Sequence, residues 1–356
     1  MKLRRWWLLA PCLLFGLLLA ACNKPGGVDK APAKPDTTTS GDRSGAISRP
    51  PTGEKPLSAD VLKSTHWPVA QVGDGRASIS CDTDYDASGD GEPLSNLEYF
   101  SVLDAMSACR ERGVVRLRYR GKIDSGFTAL VQRVAAMASR MDIDKRILDI
   151  DSAGGNVEDA IRAGDSMGES HWNIWVRDDS VCHSACVLIL AAGDNRLISG
   201  KVGVHRIIRM SSTATSRAEL SQELREVHDQ MKDYLARNGV DVAVADLMMT
   251  VPSRDLRLLA DTELQQYGLS GSNAAQDDLE RIRLLRKCGE DFVHRKEAFS
   301  REFEKRCDAP GEDVAEMGTC GRELRQRFGF PDKHCPSESP LSEYDDNLAR
   351  PPAGLQ

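Results

Sequence analysis

Aromatic residues make up only 5% of the 356-residue chain, and none falls between Asn23 and Thr65. A stretch without aromatics that is rich in Pro, Gly, Ser, Thr, Lys and Asp cannot bury enough apolar surface to offset the entropy of ordering it. Residues 22–65 are therefore expected to form a flexible tether. A basic surface is also missing, since 47 Lys and Arg face 54 Asp and Glu, a formal charge of −7, and loss of Lys2, Arg4 and Arg5 would take it to −10. That balance is unsuited to a phosphate backbone, so no nucleic-acid partner is expected. The one long apolar run, Trp6 to Ala21, is interrupted by Pro11 and Gly16 and makes a poor membrane span. With its basic lead it reads as a signal segment, residues 1–21.

That run ends in Leu19-Ala20-Ala21-Cys22, which resembles a bacterial lipobox. The resemblance implies cleavage before Cys22, lipidation of its thiol and anchoring to a membrane outside the cytoplasm. Asn23 in the next position implies the outer membrane. Eight cysteines then remain in the body of the chain, at 81, 109, 182, 186, 288, 307, 320 and 335. An even number in an oxidising compartment points to disulfides, although about 105 pairings are formally open.

Residues 66–111 read as an N-terminal extension. Pro93 to Cys109 carries Leu94, Leu97, Val102 and Met106 at mostly helical spacing, and Cys81 is placed to staple Cys109 to the segment before that helix. Between them, Asp82 to Glu92 alternates carboxylates in the manner of a calcium loop. Pro93 or Ser95 occupies the closing position where a bidentate Glu is needed, so a solvated acidic turn is expected, with no metal.

From residue 112 the pattern alternates: strand Val114–Tyr119, helix Phe127–Met141, strand Arg146–Ile150, a turn at Asp151-Ser152-Ala153-Gly154-Gly155, a helix through Gly164, and strand Asn173–Val176. This is an α/β layout with a covered sheet. It leads to Cys182-His183-Ser184-Ala185-Cys186, then the apolar run Val187 to Ala192. A small-residue turn that carries one serine before an apolar helix can seat the hydroxyl where unpaired N–H groups favour developing negative charge.

Asp149 to Gly164, Val181 to Arg196 and Gly203-Val204-His205-Arg206 together resemble the core motifs of the ClpP/crotonase-fold serine peptidases, closest to periplasmic ClpP-like proteins of the signal peptide peptidase A type. The resemblance spans about residues 112–271. It implies a repeated ββα core, Ser184 as nucleophile, His205 as general base, and the N–H groups of Gly155 and Ala185 as an oxyanion hole. A polypeptide substrate and no cofactor follow, with a homo-oligomer left open. His183 is less suited as the base, because a residue adjacent to the nucleophile generally points elsewhere. Ala153 departs from the usual proline of the glycine loop. Counting back from Tyr267-Gly268-Leu269 puts Pro252 where ClpP has its aspartate, so Asp255, the nearest carboxylate, is the candidate third member, with a Ser–His dyad as the alternative. An inactive binding scaffold of the same fold is the competing function. An acyl-thioester enzyme of the crotonase branch is disfavoured, because coenzyme A is not expected outside the cytoplasm.

Ser216 to Arg237 reads as a charged amphipathic helix that covers or extends the site. Gln276 to Cys307 is helical, Asp308-Ala-Pro-Gly-Glu breaks it, and Cys320 to Phe328 returns, so residues 275–336 are expected to be a disulfide-stapled helical hairpin before a disordered tail, 337–356. In an antiparallel hairpin the intervals Cys288–Cys307 and Cys320–Cys335 are comparable, about 28 and about 22 Å. Nested bridges follow: Cys307 to Cys320 and Cys288 to Cys335. Cys182 and Cys186 are left to staple the serine turn if their Cα atoms come within about 7 Å.

Overall fold

The computed structural model describes residues 59–73, 75–207, 212–307 and 314–342. The expected signal segment, Cys22, nearly all of the tether, the break at Pro310-Gly311 and the tail from 343 lie outside the described residues.

In chain order the strands are β1 (Arg76–Ser80), β2 (Glu92–Pro93), β3 (Val114–Arg120), β4 (Lys145–Asp151), β5 (Trp172–Val176), β6 (Val181–His183), β7 (Asn195–Ile198), β8 (Lys201–Val204), β9 (Arg257–Leu258) and β10 (Gly271–Ser272). The helices are α1 (Ala59–Lys63), α2 (Tyr85–Ser88), α3 (Tyr99–Met106), α4 (Cys109–Arg112), α5 (Ser125–Arg140), α6 (Val157–Gly168), α7 (Cys186–Ala191), α8 (Arg217–Arg237), α9 (Ala243–Thr250), α10 (Asp261–Gln266), α11 (Ala274–Cys288), α12 (Glu290–Arg306) and α13 (Val314–Arg327). The larger sheet has the order β10-β7-β5-β4-β3-β1-β2, with a parallel centre and antiparallel edges. A smaller sheet, β6-β8-β9, is joined to it by a bridge between Ser152 and Cys182. The fold is mixed α/β with a central sheet and covering helices.

Local sequence sets the starts of the helices that cover the sheet. Asp124 caps α5 by accepting the Phe127 N–H, and Asn156 caps α6 by accepting from Asp159. Phe127, Leu130, Val131, Val134 and Met137 on α5 are buried against Leu117 and Tyr119 of β3 and the α6 residues Ala160 and Ala163, in one continuous core.

The opposite face of β3 carries Arg116, Arg118 and Arg120, as the alternation of a strand requires. Arg116 and Arg118 are buried nevertheless. Asp149, in register with Arg118 on β4, pairs with Arg116, Arg118 and Arg177 at the centre of this face. The acidic loop folds over it: Arg116 donates to the carbonyls of Asp82 and Gly89, and Arg177 bonds Asp90 at 2.9 Å. Asp84 caps α2 and Asp82 bonds Arg112. The acidic turn is largely exposed, as expected, and it also covers buried guanidiniums, with Asp82, Asp84 and Asp90 turned to separate partners. Among the described residues no group of three or more His, Cys, Asp or Glu is placed to hold a metal ion.

Among the described residues four disulfides are present: Cys81–Cys109, Cys182–Cys186, Cys288–Cys335 and Cys307–Cys320. The C-terminal pair is nested, in agreement with the hairpin argument. Around it Phe292, Phe299, Leu324 and Phe330 form a second core, separate from that of the sheet. The expected single helix 276–307 is broken, because Gly289 adopts φ 87° and turns the chain between α11 and α12. The hairpin is therefore a three-helix module. The expected helix 93–109 is also shorter, since Glu92 and Pro93 pair with β1 and the helical turns begin at Tyr99.

Candidate active site

Ser184 follows β6 directly and His205 follows β8 directly, and these two strands are parallel neighbours with His183 opposite Gly203. Both residues consequently lie at the same end of the small sheet. The Ser184 N–H donates to the Gly203 carbonyl at 2.9 Å, and its own carbonyl accepts from Val187 at 3.0 Å. Between those bonds the serine is forced to φ 57°, a conformation that costs a non-glycine residue about 1–3 kcal/mol. Ser184 is buried at this strand-to-helix turn, and strained positions of this kind cluster at functional sites. The helix itself starts one residue later than a serine cap would place it, with Ala185 at the N-cap and α7 fully buried behind it.

Two further ties hold α7 still. Arg196 donates to the carbonyls of Leu190 and Ala191 at its C-terminal end, and burial lowers its guanidinium to a pKa of about 10. The buried Tyr234 of α8 donates to the Leu188 carbonyl at 2.8 Å. The C-terminal half of α8 thus packs on the helix behind the serine, whereas Arg217 to Gln222 of its first half are exposed. Cys182 and Cys186, both buried, bridge the serine turn with their Cα atoms 5.1 Å apart.

The glycine loop after β4 meets this turn. Gly154 has φ 103°, and a β-carbon there would lie 2.7 Å from both the His183 carbonyl oxygen and the Ser184 β-carbon. Gly155 approaches Ile123 so closely that a β-carbon would sit 2.1 Å from its carbonyl oxygen. Only glycine fits either position. The Ile123 N–H donates to the Gly154 carbonyl and the Ile123 carbonyl accepts from Asn156, which fixes the loop while leaving the Gly155 N–H unused. Among the described residues neither the Gly155 nor the Ala185 N–H donates to an acceptor.

His205 donates from Nδ1 to the Arg206 carbonyl at 3.0 Å. No hydrogen bond joins Ser184 Oγ to it among the described residues. Catalytic hydrogen bonds commonly tighten only when substrate is bound. Asp255 is not brought to His205: its carboxylate is more than half exposed, 3.9 Å from Arg254, and its N–H closes a turn onto Pro252.

His183 contributes more than its sequence position suggested. Its ring packs against Gly203 beside Leu256, and its Nε2 is buried without a partner. Burial holds this imidazole below the usual histidine range, and the charge of His205 pushes the same way. The signal was available in the alternation of β6, which puts Cys182 and His183 on opposite faces.

No protein-family model matches the chain, and no curated protein does. Solved structures similar to it include two mutant forms of the 1510-N membrane-bound stomatin-specific protease, one of them in complex with a substrate peptide. Each is 16% identical, with a TM-score of 0.36, and 46% of this chain covers 81% of the first and 76% of the second.

Proposed function

We propose that the chain is a serine peptidase of the ClpP/crotonase-like fold, held by a lipid on Cys22 at the periplasmic face of a bacterial membrane, the outer membrane in particular. The observation that supports the reading is the packing of the glycine loop at Gly154 against the Ser184 turn, beside the unused N–H groups of Gly155 and Ala185, with His205 following the strand next to the one that leads to Ser184. Ser184 Oγ attacks the carbonyl carbon of a peptide bond while His205 takes the hydroxyl proton at Nε2. The carbonyl oxygen becomes an oxyanion, and the two N–H groups stabilise it, a contribution of about 3–4 kcal/mol per donor where one is removed. The imidazolium then gives its proton to the leaving amine and the C–N bond breaks. Water, deprotonated by the same imidazole, releases the acyl group from Ser184.

The test is a fluorophosphonate probe applied to the full chain. The wild type is expected to label, and Ser184→Ala and His205→Ala to lose labelling while keeping their folded melting transitions. Persistent labelling of Ser184→Ala would refute the assignment of the nucleophile. A second reading, a binding scaffold of the same fold, is favoured by the lack, among the described residues, of a carboxylate bonded to His205, and a wild type that never labels would support it.

A further inference from the structure

A general base in a serine peptidase needs one ring nitrogen protonated and fixed so that the other presents its lone pair. In His205 the fixed nitrogen is Nδ1, and its partner is the main-chain carbonyl of Arg206 at 3.0 Å. A carbonyl oxygen can only accept, so Nδ1 must carry the hydrogen and Nε2 the lone pair. The tautomer required for catalysis is therefore selected without a carboxylate.

The carbonyl is useful only if Arg206 is itself immobile. Its N–H donates to the Val251 carbonyl at 2.6 Å, and its Nε donates to the Met249 carbonyl at 2.7 Å. Met249 and Val251 lie at the C-terminal end of α9, where carbonyls lack partners within the helix and favour a cation. Arg206 thus ties the segment after β8 to the end of α9 by backbone and side chain together. The same end of α9 leads into the turn at Pro252 that holds Asp255 away from the histidine.

We propose that Arg206 is the positioning residue of the general base, its main-chain carbonyl taking the place that a carboxylate has in a Ser–His–Asp triad. The proposal rests on the Ser184–His205 reading.

Two readouts test it. In the full chain labelled with ¹⁵N-histidine, the two-bond ¹⁵N–¹H correlations of His205, identified by their loss in His205→Gln, should show the Nδ1–H tautomer at pH 8. Arg206→Met should shift it toward a mixture, and Arg206→Lys, which restores a donor to the Met249 carbonyl, should recover most of the wild-type pattern. With the fluorophosphonate probe, Arg206→Met should label about 10- to 100-fold more slowly at an unchanged melting temperature. Arg206→Lys should recover most of that rate, and Asp255→Asn should label as the wild type does. An Nε2–H tautomer in the wild type, or Asp255→Asn as slow as His205→Ala, would overturn the proposal. If the wild type does not label at all, the peptidase reading fails, and the tautomer measurement still decides the role of Arg206.

Discussion

The β-carbon of Ser184 lies 2.7 Å from the point at which a side chain on Gly154 would begin. The serine turn and the glycine loop are therefore one packed unit, and neither can be enlarged without moving the other. Gly154→Ala meets the main-chain oxygen of His183 as well, and it must adopt φ 103°. The expected cost is about 1–3 kcal/mol from the backbone alone, with fluorophosphonate labelling lost. A Gly154→Ala variant that labels at the wild-type rate would show that the loop lies outside the site.

The disulfides separate stability from activity. The Cys288–Cys335 bridge has a sequence separation of 47, and its removal is expected to cost about 4 kcal/mol on a loop-entropy estimate. It holds a module with its own core, so calorimetry of Cys288→Ala/Cys335→Ala should show that module melting earlier, with probe labelling intact. The Cys182–Cys186 bridge has a separation of only 4 and is expected to contribute about 2 kcal/mol. Its loss frees the turn that imposes φ 57° on Ser184, so Cys182→Ala/Cys186→Ala should lose labelling more steeply than it loses stability. Equal labelling of both double variants would contradict that division.

Features set by neighbouring residues were legible in the sequence. The serine turn and the glycine loop are each punctuated by small residues, and the nested cysteines follow from helix geometry. Features set across the chain were not. Val114 to Tyr119 reads as a strand of a covered sheet, but nothing nearby in sequence shows what pairs its charges: Arg116 and Arg118 are buried through Asp149, which stands 33 and 31 residues away. The position of Asp255 depends on the path of the turn after α9, which no spacing rule specifies. The break at Gly289 was hidden by an apolar period that continues through it, although a glycine beside a bridged cysteine is a natural place for a helix to end.

Asp149 is the counter-charge for three guanidiniums, and its side chain is wholly buried. Asp149→Asn leaves Arg116, Arg118 and Arg177 facing one another without their buried counter-charge, with only the partly exposed Asp90 carboxylate beside Arg118 and Arg177. Breaking a buried ion cluster of this kind is expected to cost about 3–5 kcal/mol. Because the Asp82 to Glu92 loop is held by those arginines, the variant should also be cut faster there in limited proteolysis. Asp82, Asp90 and Asp84 of the loop are engaged with Arg112, Arg177 and the α2 cap, so millimolar calcium should leave the wild-type melting temperature unchanged. A calcium-dependent rise would mean that the loop rearranges into a metal site.

His183 makes the fold acid-sensitive. Its imidazole is disfavoured as a cation first by burial, then by the charge of His205 and, more weakly, that of Lys201, while Asp151 opposes them. An unfolded histidine titrates at about 6.5. Below that pH the unfolded chain binds a proton at residue 183 that the folded protein does not, so stability falls as pH drops and continues to fall until the lowered folded value is reached. Above about pH 7.5 the imidazole is neutral in both states and contributes no pH dependence. Asp159 and Asp194, whose carboxyls are raised by burial, act in the opposite sense, but they are common to the wild type and to a His183→Gln variant. The difference between the two proteins therefore isolates residue 183. Urea unfolding at pH 8 and pH 5 should show the wild type losing more stability than His183→Gln on acidification, and equal losses would show that the imidazole is protonated in the folded protein without penalty.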